Sequence, residues 1–138
     1  MGGRSATSCT MKDEFYIYVS STNFNGIDFC LPHETREGDW QIGVCEISYS
    51  KAKSNFPSLD ICCNIISPNF ENEKSSQILR RIPSQKGNVV MRFNPIFYSN
   101  IMAKSLKRMQ LYLKTNPENH STVRGVTLYC TLHCRRHE

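Results

Sequence analysis

The segment Gly38-Asp39-Trp40-Gln41-Ile42-Gly43-Val44-Cys45-Glu46-Ile47-Ser48-Tyr49 constrains this chain more than any other. It holds the only tryptophan, placed just after a polar turn. Its apolar residues recur at the period of two that a strand requires. Trp40, Ile42 and Val44 share one face, whereas Cys45, Ile47 and Tyr49 fall on the other. The apolar phase therefore switches near Val44. A β-bulge would produce that switch, and so would a strand buried on both sides.

The same reading divides the rest of the chain. Phe15–Val19 is rich in β-formers, and Ser20–Gly26 is turn chemistry. Ile27–Leu31 is a second strand closed by Pro32, and residues 33–39 form a charged turn. After a Lys/Ser/Asn/Pro loop, Leu59–Ile66 is a compact apolar run between Pro57 and Pro68, and 67–76 reads as a polar loop. Gln77–Ile82 and Asn88–Phe93 are short strands, the second ended by Asn94-Pro95. Residues 96–105 fit either one helical turn or an extended loop. Leu106–Lys114 alternates, with Met109, Leu111 and Leu113 toward the core. In Val123–Arg135, Val126, Leu128, Cys130, Leu132 and Cys134 share one face, and Thr127, Tyr129, Thr131 and His133 take the other. Eight strand-like segments and no long amphipathic helix predict an all-β fold: a single jelly-roll sandwich of about eight antiparallel strands. Its core is expected around Trp40, Ile42, Val44, Leu111, Leu113, Leu128 and Leu132. Residues 13–138 are read as one domain, behind a flexible N-terminal arm at 1–12.

Charge and cysteine usage narrow the function. The net charge of +5 fits an acidic partner, nucleic acid or ordinary solubility. Basic residues cluster as Arg80-Arg81, as Lys104-Lys107-Arg108 and as Arg135-Arg136. Arg80, Arg81, Lys107, Arg108, Arg135 and Arg136 are thus the candidate contact residues, although no aromatic stacking motif accompanies them. Seven cysteines, an odd number, follow an N-terminus with no apolar run. That combination predicts reduced, packed thiols in an intracellular setting rather than a secreted disulfide framework. Met1-Gly2 opens a myristoylation motif, but position 6 is Ala. No apolar run is long enough to span a membrane.

Catalytic and metal chemistry find little support. Cys130, His133, Cys134 and His137 are the best ligand candidates. On a strand, Cys130 and Cys134 would lie about 13 Å apart, with His133 facing away, whereas zinc draws its ligands to one centre. Cys62 and Cys63 are strand neighbours, so one thiol is expected inward and one outward. Gly38, Gly43 and Gly87 form no phosphate loop, and Glu34, Glu37 and Asp39 read as a solvated turn. We therefore expect no enzyme, no cofactor and no metal.

The chain resembles the penton, the single jelly-roll minor capsid protein of Polinton/Maverick elements and adintoviruses. Four marks carry the resemblance. Gly38–Tyr49 fits Gly-Asp-Trp-x-hydrophobic-Gly-x-x-Glu-hydrophobic followed by Tyr. Leu59–Pro68, Glu71–Glu73 and Arg80–Pro83 fit a Cys-rich strand, an acidic loop and a strand ending Arg-x-hydrophobic-Pro. Asn94-Pro95 with Tyr98, and Thr131–Arg136, are the third and fourth. Cys134 departs from the pattern, standing where an aromatic is expected, and the segment before the last strand lacks an acidic Phe/Gly-rich turn. The resemblance implies a homopentamer at the fivefold vertices of an icosahedral DNA virus or virus-like transposon capsid. Its neighbours would be a double jelly-roll major capsid protein and packaged DNA. Its place would be the virion, assembled in a reducing compartment of the host cell, the nucleus. The residues alone also allow a non-capsid β-sandwich interaction domain or a basic nucleic-acid-binding β domain.

Overall fold

A computed structural model of the chain describes residues 13–21, 26–50, 58–71, 74–83, 88–116 and 127–137. The strands are β1 (Glu14–Ser21), β2 (Gly26–Cys30), β3 (Asp39–Ser50), β4 (Ser58–Cys63), β5 (Asn69–Glu71), β6 (Lys74–Ser76), β7 (Ile78–Pro83), β8 (Asn88–Arg92), β9 (Tyr98–Asn100), β10 (Arg108–Asn116) and β11 (Thr127–His137). The first sheet runs β1-β11-β3-β8, with β9 also pairing β3; the second runs β2-β10-β4-β7. Every pairing is antiparallel. Of the steps between successive long strands, that from β4 to β7 stays within a sheet, and all the others cross to the other sheet. The fold is an all-β sandwich, and this winding is compatible with the expected jelly roll.

The phase switch in β3 is a bulge. Thr131 pairs with Glu46 but Leu132 pairs with Val44, so Cys45 is the extra residue on β3. The bulge returns Ile47 and Tyr49 to the face already taken by Trp40, Ile42 and Val44, and all five are buried. All seven core residues expected from the sequence are buried as well. One cluster joins them with Leu59, Ile61, Met109 and others from the second sheet. Each such side chain contributes about 1.5–3 kcal/mol by leaving water.

Two local readings change, and one open alternative is decided. The Leu59–Ile66 run is not one strand: β4 ends at Cys63, a turn follows, and Ile66 bridges Ile101 instead. The polar loop at 67–76 contains the β5–β6 hairpin. Of the two alternatives for 96–105, the loop is found rather than the helical turn: β9 lies along β3, and bends follow at 102–105. The expected arm at 1–12, the turns at 22–25 and 117–121, the loop at 51–57 and residues 123–126 lie outside the described residues.

Gly43 explains part of the Trp40 segment's pattern. It pairs with Tyr98, and the chain at 96–98 lies directly on it. A Cβ at this position would stand 2.5 Å from Ile96 Cγ2 and 2.8 Å from the Phe97 carbonyl oxygen. Backbone cannot yield as a side-chain tip can, so Gly43→Ala is expected to lower stability by about 1–3 kcal/mol. Urea unfolding reads this directly; an unchanged midpoint would mean that the 96–98 segment is not held against β3.

Candidate functional site

No three His, Cys, Asp or Glu side chains among the described residues are placed to hold a metal ion. Cys130 and Cys134 point into the core, His133 lies on the outer face, and His137 Nε2 sits 2.8 Å from Gln41 Oε1. Cys63 belongs to the core cluster. Cys62 takes the opposite face, as the alternation required, yet it too is fully buried, in register between Tyr112 and Ile78. The six described cysteines are free thiols, and Cys30 is the exposed one. Burial pushes Cys62, Cys130 and Cys134 up to about 12 and Cys63 up to about 11, which makes them poor nucleophiles.

The outer face of the first sheet holds a cluster that the sequence did not reveal. Register places Tyr16 on one side of His133 and Gly43 on the other, with Tyr98 beyond Gly43. Because Gly43 has no side chain, Tyr98 can reach across it, and its hydroxyl lies 2.8 Å from His133 Nδ1. The Tyr16 and Tyr98 rings flank the imidazole at centroid distances of 4.8 and 5.8 Å. His133 is therefore only 7% exposed, although its strand position faces outward. Its Nε2 lies 3.4 Å from Glu14 Oε1 but makes no aligned hydrogen bond. Burial raises the Tyr98 pKa, partly offset by Arg135, whose guanidinium lies 3.5 Å above the ring. The cluster ties β1, β11, β3 and β9 together. His133 read as one outward polar residue among several because only the cross-strand register brings its partners in.

The six basic candidates do not form one patch. Arg81 makes a two-pronged contact with buried Asp60, at 2.7 and 2.9 Å. Lys107 Nζ donates to the carbonyls of Leu31 and Pro32. Arg135 donates to Gln41, and Arg136 pairs with Asp13, holding that carboxyl below its usual range. Arg108 is exposed at the start of β10. Arg80 is different. Its guanidinium lies between two rings, 3.9 Å from Phe93 and 4.1 Å from Phe97. Its Nη1 is buried without a hydrogen-bond partner, and no carboxylate among the described residues pairs with it.

Large apolar side chains also stand in solvent. Tyr16, Tyr18, Tyr129 and Val90 are exposed on the outer face of the first sheet, and Phe97 beside β9. Tyr129 and Val90 flank Ser48 in register, so they share one row across β11, β3 and β8. Exposed tyrosines in such numbers on one sheet face are the composition of a protein-binding surface.

No family model and no curated protein matches the chain. Among solved structures, the crystal structure of the infectious bursal disease virus VP2 subviral particle is similar over 90% of this chain, at 12% identity and a TM-score of 0.29. The chain spans 33% of the length of that one.

Proposed function

We propose that this protein is a structural, non-enzymatic capsid subunit, a penton that assembles as a homopentamer at the fivefold vertices beside a double jelly-roll major capsid protein. The observation that carries the reading is the strand order, β1-β11-β3-β8 over β2-β10-β4-β7, which agrees with the jelly roll implied by the sequence marks. The exposed tyrosines give such a subunit something to assemble with. The packed thiols suit assembly in a reducing compartment before incorporation into a virion. Internal engagement of Arg81, Lys107, Arg135 and Arg136 favours association with protein over a phosphate-binding surface.

The test is the solution mass of the reduced protein by light scattering, with negative-stain images of the same sample. The expected result is rings with the mass of five 15.9-kDa chains. A monomer at every concentration, both alone and with a double jelly-roll partner, would overturn the reading.

A further inference from the structure

A sandwich of two open sheets has two open sides. Here β7 lies beside β8: Arg80 covers Phe93, and the Tyr49 hydroxyl of β3 donates to the Pro83 carbonyl of β7. The opposite ends of the two sheets, β1 and β2, therefore form the other side. The two sides differ in charge. β1 and β2 carry Glu14 and Asp28 and no Lys or Arg, while β7 and β8 carry Arg80, Arg81 and Arg92 and no Asp or Glu. Arg81 and Arg92 are matched on their own sheets by Asp60 and Glu46. Arg80 is the charge left over. Held between two rings, it has little side-chain freedom left to lose on binding.

We infer that copies of this chain associate head to tail, the Arg80–Phe97 side of one copy receiving the carboxylate-and-tyrosine side of the next, with Glu14, Asp28, Tyr16 and Tyr18 at the contact. The inference rests on the self-assembly reading above and names its interface. Glu14 is 68% exposed, and Asp28 is exposed on β2. Tyr16 and Tyr18 project from β1, Tyr18 being 78% exposed, and Phe97, at 59%, and Val90 stand on the opposite side. The edge strands of each side thus carry one charge sign set among apolar groups, with Arg36 beside β1 already paired to Asp13, and arginine and tyrosine are the residues that dominate interface energies. β1 is an edge strand among the described residues and carries no Lys or Pro to blunt it. The partner is a second copy because the complement of each side is the other side of the same chain. Two different patches meeting make a heterologous contact, which closes into a ring when the rotation per copy divides a full turn.

The test is a charge swap read by mass against concentration. Arg80→Glu and Asp28→Arg are made singly and together, with circular dichroism and Trp40 emission confirming the fold. Asp28→Arg guards against a folding defect at Arg80, because Asp28 is exposed. Each single variant is expected to raise the concentration needed for assembly by about tenfold or more, and the double variant to return most of that loss. Fivefold rings that persist in both single variants would overturn this interface and leave the penton reading standing. Swap-dependent dimers or open chains would support the interface and overturn the fivefold reading. A wild-type protein that is monomeric throughout, both alone and with a double jelly-roll partner, would overturn both.

Discussion

Trp40→Ala is expected to lower the free energy of unfolding by about 3–5 kcal/mol. Trp40 is 1% exposed and belongs to the core cluster. Its ring lies 5.7 Å from that of Phe15 on β1, and its Nε1 donates to the Arg36 carbonyl at 2.8 Å. It therefore fixes β1, the 31–39 connection and the start of β3 at once. Alanine would leave a cavity that three separately anchored segments cannot all collapse to fill. Urea unfolding followed by far-ultraviolet circular dichroism measures the loss, since the substitution removes the sole tryptophan as a probe. With a slope of about 1–3 kcal/mol per molar urea, the midpoint should fall by more than about 1 M. Trp40→Phe keeps much of the packing but loses the N–H donor, and about 1–2 kcal/mol is expected for it. A loss below about 1 kcal/mol for Trp40→Ala would contradict the enclosure of this ring.

The sandwich was legible because its strands are half buried. In β11, Leu128, Cys130, Leu132 and Cys134 alternate with Tyr129 and Thr131, and period two survives in the sequence. Even the bulge at Cys45 left its mark, since an inserted residue shifts apolar phase in a way that the letters record. Pairing between distant strands leaves no such mark. Nothing in the sequence places Tyr98 across Gly43 from His133, or Arg80 between Phe93 and Phe97, because those meetings depend on which strands lie side by side. The basic clusters misled for a related reason. Neighbours in sequence on a strand face opposite ways, so Arg80 and Arg81 enter different environments: one stacks on rings, and the other pairs with Asp60. Cys62 was legible in direction but not in burial. It lies outside the core cluster, in register with Tyr112 and Ile78 on the neighbouring strands of its own sheet.

Alkaline pH should destabilise this protein steeply, and the thiols set the window. Cys62, Cys130 and Cys134 are pushed by burial from 9.0 up to about 12, and Cys63 from 9.0 up to about 11. A raised folded-state pKa means that the folded chain keeps its proton while the unfolded chain gives it up. Below pH 9 both states are protonated, and the contribution to stability is fully present. Above pH 9 the unfolded state ionises, and stability falls by about 1.4 kcal/mol per pH unit for each such thiol until its folded pKa is reached. Burial raises Tyr112 in the same direction. Against a total stability of about 5–15 kcal/mol, four thiols acting together are enough to unfold the domain before pH 12. Urea unfolding under reducing conditions should therefore give nearly equal stabilities at pH 7 and 8 and a loss of several kcal/mol between pH 9 and 10. Cys134→Ala separates this cause from general alkaline damage: its stability at pH 7 is lower because a buried group is lost, but its decline above pH 9 is shallower by one thiol's share. A thiolate-selective reagent at pH 8 should meanwhile label Cys30 first among the described cysteines, since the buried four are both covered and protonated. Equal stabilities at pH 8 and 10, or a Cys134→Ala decline as steep as that of the parent, would show that these thiols do not sit in the dry interior described for them.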